Sequence, residues 1–321
     1  MGDNTLVSII IPVREINDYI RESIPHILKM DYVNYEIIIF PDVPSGESFE
    51  KTRIIPTGKM GPAEKRDLAL IHAKGEILAF LDDDAYPEPD WLSHVVDDLQ
   101  DPDVAAVGGP AVTPSHDSIF QKASGLVFES LMGGGSCRYR YIPGKEKFFV
   151  DDFPTVNLII RRDVFEQVGG FDTAYWPGED TKLCLDIVHG LGKKILYDPN
   201  AVVYHHRRTV FKPHLKQISN YAVHRGFFVK KYPQTSLKIG YFIPSMFFVY
   251  LIISLLSSYQ YPVVMVPLVI YAVILGLTMG DVVYRYGNLT LGLLTGTAIF
   301  LTHVFYGFHF LRGLFSGGLK Q

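Results

Sequence analysis

Cysteine is nearly absent from this 321-residue chain, which carries only Cys137 and Cys184. Two thiols are too few for a disulfide framework, which excludes a cross-linked secreted scaffold and suits a reducing compartment. An excess of positive charge is absent too. At a net charge of −4 the chain has no general attraction for nucleic acid, and no nucleic-acid partner is expected. No Gly-Lys-Ser/Thr follows the run Gly133-Gly134-Gly135, so that run is not a P-loop. Internal repeats and low-complexity segments are also missing. The first residues do not read as a secretory leader: residues 1–5 are polar and residues 6–13 have the pattern of a strand. The domain they open is expected to stay on the side of the membrane where it is made.

The absence that says most is one of charge. Of the 64 charged residues, 60 lie at or before Lys238, and only Asp281, Arg285, Arg312 and Lys320 follow. Residues 239–280 contain none. A helix needs about 20 apolar residues to cross a ~30 Å hydrocarbon core. This run therefore fits two spans, with a turn near residues 257–262, where Ser-Ser-Tyr-Gln-Tyr-Pro breaks the apolar pattern. A buried pair of core helices is the alternative, but such helices rarely go so long without a solvent-facing charge. A second uncharged run, 286–311, reads as a third span or as an interfacial segment, since Tyr306, Phe308, His309 and Phe310 favour headgroup depth. Lys230, Lys231 and Lys238 precede the first span and orient the preceding domain toward the cytosol. An odd number of spans would put the C-terminus outside, whereas Arg312 and Lys320 favour inside.

Before the uncharged stretch, short β-rich runs alternate with helical patterns. Residues 6–12, 36–40 and 77–81 are continuous apolar strands, and residues 19–29 and 62–73 have helical spacing. Continuous apolar strands separated by helices indicate βαβ units and a parallel sheet covered on both faces. Ligands bind such sheets beyond the carboxyl ends of the strands. Val13-Arg14-Glu15, Asp42 and the triplet Asp82-Asp83-Asp84 all sit at such ends. Further on, residues 91–99 read as a helix and 104–108, 155–161, 195–197 and 202–204 as strands. Helices are expected to start near Asp163 and Asp180. Residues 110–153 look irregular.

Three adjacent aspartates repel one another unless something positive lies between them. A solvated turn or helix cap is one reading of the triplet. An Asp-x-Asp pair holding Mg²⁺ or Mn²⁺ against a diphosphate is the other. Several segments now share an order and spacing: Ser8-Ile9-Ile10-Ile11-Pro12-Val13, Gly61-Pro62-Ala63 through Lys65-Arg66-Asp67, and Gly75-Glu76-Ile77-Leu78-Ala79-Phe80-Leu81 running into the triplet. Val168-Gly169-Gly170-Phe171-Asp172, Gly178-Glu179-Asp180 and Asp198-Pro199-Asn200-Ala201-Val202-Val203-Tyr204-His205 follow. Together they resemble glycosyltransferase family 2 over residues 7–225.

The resemblance implies an α/β GT-A (Rossmann-like) catalytic domain, residues 1–235, that includes a juxtamembrane helix at about 212–231. A transmembrane anchor, 236–321, would hold two to three helices at about 239–257, 262–280 and 289–311. By position, Asp84, Asp82 and His205 would hold Mn²⁺ or Mg²⁺, the imidazole favouring Mn²⁺. Pro12, Glu15, Asp42, Arg66, Asp82 and Asp83 would line the nucleotide of a nucleotide-diphosphate sugar. The turn after the second strand, Phe40-Pro41-Asp42-Val43-Pro44, departs from the family's Asp-Asp-Gly-Ser-like turn, which leaves the base open. Asp180 matches the catalytic base, with Glu179 beside it; an N-cap for a helix at 181–188 is the structural alternative for the pair. Glu179, Arg138, and Gln217 and Arg225, the last two on one helical face with Tyr221, would serve the diphosphate or acceptor.

The expected function is therefore metal-dependent, inverting sugar transfer to a hydroxyl of a lipid-linked saccharide at the cytosolic face of the plasma membrane, in polysaccharide or glycolipid biosynthesis. A polyprenyl-phosphate glycosyltransferase is the alternative. It would need no base, because its acceptor is already ionised. A non-catalytic membrane scaffold is the third reading.

Overall fold

A computed structural model describes residues 4–171 and 175–319. Asp172, which closes one of the motifs above, and Lys320 lie outside them. The strands are β1 (Val7–Pro12), β2 (Tyr35–Phe40), β3 (Thr52–Ile54), β4 (Ile77–Leu81), β5 (Ala85–Pro87), β6 (Val104–Gly108), β7 (Ala111–Val112), β8 (Phe148–Val150), β9 (Asn157–Arg161), β10 (Lys194–Tyr197) and β11 (Val203–His205). The helices that position the site and the membrane segment are α1 (Asp18–Ile27), α2 (Pro62–Asp67), α3 (Trp91–Asp98), α4 (Ile119–Glu129), α5 (Glu179–Leu185), α6 (Lys212–Lys231), α7 (Ile239–Ser257), α8 (Val266–Tyr286) and α9 (Leu289–Leu314).

The chain divides into two compact units, Met1–Val112 with Ile142–His205, and Thr113–Tyr141 with His206–Gln321. The first holds an eight-stranded sheet in the order β3-β2-β1-β4-β9-β6-β10-β8 and a three-stranded sheet β5-β11-β7. Strands β1, β2, β3 and β4 run parallel, as the apolar runs predict. The rest corrects the expectation of a parallel sheet: β9 lies antiparallel between β4 and β6. A strand buried on both faces is uniformly apolar in either direction, so its sequence does not reveal its sense. On one face, Ile9, Ile11, Ile37 and Ile39 pack with Ile20, Ile24 and Ile27 of α1. On the other, Phe80 meets Phe165 and Phe171 at 5.3 and 5.4 Å between ring centroids.

The main sheet is tied to the small one by a buried side chain. Asn157, at the start of β9, accepts from the Trp91 indole at 2.9 Å and donates to the Ala201 carbonyl at 2.7 Å. Its amide satisfies groups that would be costly to bury unpaired. Gly109 allows the same approach, since a Cβ there would stand 1.8 Å from the Ala201 oxygen.

In the second unit the segment expected to be irregular contains α4. Ser118 caps it, its hydroxyl accepting from the Gln121 amide at 3.3 Å while the Gln121 side chain accepts from Ser118 N at 3.2 Å. Ala123, Leu126 and Val127 of α4 pack with Val282, Leu291, Ala298 and Ile299. The expected helix at 62–73 is two pieces, Pro62–Asp67 and Ala69–His72. Among the described residues three helices are long and apolar enough to cross a membrane: Ile239–Ser257, Pro262–Tyr286 and Leu289–Leu314.

Candidate active site

The parallel pairing of β1, β2 and β4 delivers their carboxyl ends to one sheet edge, with Pro12 opposite Phe40 in register. The residues that follow those ends are therefore neighbours: Val13 after β1, Asp42 after β2 and Asp82 after β4. Helix α2 lies over this edge and carries two buried cations. The Lys65 ammonium donates to the Val13 carbonyl and to the Asp42 carboxylate. Arg66 donates to Asp82 at 2.7 Å and to Glu179 at 3.3 Å, with the Phe171 ring 5.8 Å from its guanidinium. One planar guanidinium thus bridges two carboxylates that would otherwise repel.

The triplet divides by partner. Asp82 pairs with Arg66. Asp83 accepts from the Asn17 amide at 2.7 Å, the same Asn17 whose Oδ1 caps α1 through Ile20 N at 2.9 Å. Burial, with Asp84 next to it, pushes the Asp83 carboxyl up to about 6. Asp84 stands 3.0 Å from Nε2 of His205. That contact follows from register: β5 begins directly after the triplet, and β11 pairs with it antiparallel so that His205 lies opposite Ala85.

Ligand atoms of Asp82, Asp84 and His205 all lie within 4.8 Å of one another. Two carboxylate oxygens and an imidazole nitrogen so close together fit a divalent cation, which would remove their mutual repulsion. Asp83 is not among them.

Asp180 sits in the first turn of α5, whose N-cap is Gly178 at a φ of +120°, a value L-residues avoid. The structure thus corrects the expected cap: Asp180 lies inside the helix, and its Oδ1 accepts from Thr181 N at 2.8 Å. Glu179 is buried, and burial raises its carboxyl above the ordinary range against the opposing pull of Arg66. Asp180 is only half-buried.

Of the remaining predicted residues, Pro12 ends β1 and is buried, and Glu15 is exposed just beyond it. Arg138 lies in the 3₁₀ turn Gly135–Arg140, and Gln217 and Arg225 lie on α6, all in the second unit. Arg225 donates to Ser236 at 3.3 Å and stacks over Tyr241 at 4.7 Å. Two residues of the sheet edge escaped the sequence reading, Lys65 and Asn17. No pattern along the chain marks either one: the burial of Lys65 and the reach of Asn17 to Asp83 are set by the fold.

Residues 8–169 match the family model described as glycosyl transferase family 2, and the chain belongs to that family. A pre-mycofactocin glycosyltransferase of Mycobacterium tuberculosis is 30% identical over 150 residues, 46% of this chain and 31% of the relative. A glucosyl-dolichyl phosphate glucuronosyltransferase of Haloferax volcanii is 30% identical over 145 residues, 41% of this chain and 43% of the relative. The chain thus spans less than half the length of either relative. Among solved structures, a mannosyltransferase from Pyrobaculum calidifontis in complex with GDP-Man and Mn²⁺ superimposes with a TM-score of 0.55 at 18% identity. That likeness covers 97% of this chain and 88% of the other. GalNAc-T7, solved with UDP, GalNAc and Mn²⁺, gives a TM-score of 0.50 at 15% identity over 73% of this chain and 51% of the other. The first unit has the GT-A fold.

Proposed function

We propose that this protein transfers a sugar, with inversion, from a nucleotide-diphosphate donor to a hydroxyl of a lipid-linked saccharide at the cytosolic face of the plasma membrane. The observation that carries the donor half is the convergence of Asp82, Asp84 and His205 at the sheet edge. Those three residues would hold a divalent cation, Mn²⁺ or Mg²⁺, and the ion would neutralise the departing diphosphate. The Mn²⁺ in both solved neighbours supports this reading. Asp42, held by Lys65, and the exposed Glu15 would bind the ribose and base, while Arg66 keeps Asp82 and Glu179 in place without mutual repulsion.

Asp180 carries the acceptor half. A neutral hydroxyl must lose a proton as it attacks the anomeric carbon, and a half-buried carboxylate can take it. An ionised polyprenyl phosphate would need no such group. The name of the Haloferax volcanii relative, which couples a glucuronosyl group with glucosyl-dolichyl phosphate, agrees with a lipid-linked sugar as acceptor. Arg138, Gln217 and Arg225 are assigned to the diphosphate or acceptor lipid on the same reading.

The test is thermal-shift screening of nucleotide sugars with and without Mn²⁺ on the detergent-solubilised protein. One donor at 100 times its Kd should stabilise by about 2.7 kcal/mol, in a metal-dependent manner, and Asp84→Ala should abolish the metal dependence. Absence of stabilisation by any donor would sink the proposal. Turnover assays on a lipid-linked saccharide and on bare polyprenyl phosphate then separate the acceptors, and turnover only on the bare phosphate would reassign Asp180.

A further inference from the structure

Charge is divided unevenly between the two units. The second holds 14 lysines and arginines against three acidic residues, Asp117, Glu129 and Asp281, although the chain as a whole is net negative. Asp117 pairs with the His206 imidazole. Asp281 pairs with Arg285, one turn away on α8, at 2.8 Å, and both side chains are about half exposed, so the pair weighs little. Glu129 is placed differently. It ends α4, and the Thr113 hydroxyl donates to its carboxylate at 3.1 Å while accepting from Arg207 Nε at 3.3 Å. The Arg207 guanidinium lies 5.0 Å from the Tyr141 ring, which stacks on Phe128 of α4.

Packing brings two more guanidiniums to this carboxylate. Leu126 of α4 clusters with Val282 of α8 and Leu291 of α9; Glu129 lies one turn beyond Leu126, and Arg285 one turn beyond Val282. Gly134 folds the chain back onto the end of α4, since a Cβ there would stand 1.9 Å from the Phe128 oxygen and 3.2 Å from the Arg138 Cβ. Burial pushes the Glu129 carboxyl above the ordinary range, against the pull of Arg207, Arg285 and Arg138. A carboxyl driven toward its neutral form is a poor counterion for three guanidiniums. The buried Arg138 Nε has no hydrogen-bond partner among the described residues, and a buried donor left so is costly.

The place of the cluster says which anion it fits. Arg285 is in the last turn of α8, and only Gly287 and Asn288 separate α8 from α9, both of membrane-spanning length. Tyr284 and Tyr286, on either side of Arg285, are exposed, as rings at headgroup depth are. Guanidinium forks match phosphate oxygens bidentately.

We propose that Arg138, Arg207 and Arg285 bind the phosphate or diphosphate group through which the acceptor saccharide is joined to its lipid. Arg138 and Arg285 reach the anion, and the buried Arg207 adds its field from behind. Glu129 holds the cluster together and weakens its grip on the anion. The inference rests on the reading of the acceptor as a lipid-linked saccharide and adds the chemistry of the link: an anionic phosphate ester, in place of a neutral glycoside such as a glycosyl diacylglycerol.

The test uses the full chain in phosphatidylcholine nanodiscs with EDTA, so that no metal carries phosphate to Asp82, Asp84 and His205. Farnesyl diphosphate is titrated calorimetrically, with empty discs subtracted, beside farnesol and inorganic pyrophosphate. Expected is saturable binding of farnesyl diphosphate that Arg138→Gln and Arg285→Gln each weaken by about tenfold or more, the worth of one charge-assisted hydrogen bond. Glu129→Gln, whose amide oxygen can still accept from Thr113, should tighten it. Variants that merely lost structure would not move in opposite directions. Equal binding of farnesol, or no response to any of the three substitutions, overturns the proposal. Pyrophosphate binding as tightly as farnesyl diphosphate overturns the lipid as the source of the anion. Loss of the binding when phosphatidylglycerol is added to the disc makes the cluster a general headgroup surface and overturns it too. Failure of the transfer reading is distinguishable, because this binding is measured without metal or donor. Intact binding with no transfer to any saccharide overturns that reading alone. Transfer to a phosphate-linked saccharide with one KM in the parent, Arg138→Gln and Arg285→Gln overturns this inference alone.

Discussion

Asp180→Asn is expected to lower kcat on a lipid-linked saccharide by about 10²–10⁴-fold, the usual worth of a positioned general base, with little change in the donor's KM. The substitution isolates the proton-transfer role. Asp180 Oδ1 accepts from Thr181 N at 2.8 Å in the first turn of α5, and an asparagine amide oxygen can accept that same bond. Folding should therefore be unaffected, and equal melting temperatures for variant and parent would check this. Steady-state kinetics on the purified proteins decide the rest. A kcat within a few-fold of the parent on the saccharide acceptor would remove Asp180 from the chemistry and return it to a structural role.

The largest expected effect on stability comes from Arg66→Met. Removing one partner from a buried ionic network costs about 3–5 kcal/mol, because the remaining charge is left uncompensated. Here two carboxylates would be left, Glu179 buried and Asp82 partly so, at 3.3 and 2.7 Å from the guanidinium. Methionine replaces much of the aliphatic volume beside Phe171, so the loss is one of charge and hydrogen bonding more than of packing. Denaturation of variant and parent under identical conditions measures it. Adding Glu179→Gln to Arg66→Met should recover part of the loss, since a neutral amide tolerates the site better. No loss in the single variant would mean that Arg66 does not carry the two carboxylates.

Some of this architecture was legible in advance for a definite reason. The strands β1, β2 and β4 are continuous apolar runs that end in polar chemistry, and a buried parallel sheet leaves that trace. The uncharged stretch after Lys238 was equally readable, because the bilayer excludes charge over a fixed length. What stayed hidden depends on contacts between distant residues. Strand β9 is apolar on both faces and gives no sign of its direction. Helix α4 opens on a Ser118…Gln121 capping box, but the glycines that follow it break the helical pattern and hide its extent. The candidate metal ligands Asp84 and His205 are 121 positions apart, and only the pairing of two three-residue strands brings them to 3.0 Å. The resemblance marked both residues but said nothing of what holds them. Lys65 and Asn17, which fasten Asp42 and Asp83, answer to no pattern along the chain.

That short pairing of β5 with β11 acts as a ruler with a coarse scale. Successive strand residues point to opposite faces, so the imidazole of His205 reaches Asp84 in one register and turns away in either adjacent one. Single substitutions along Ala85–Pro87 or Val203–His205 leave the count intact. A one-residue deletion in either strand would leave both side chains in the chain and aim them apart. The spacing between the Asp82 triplet and Pro87 is thus a constraint on length, enforced separately from any constraint on residue type.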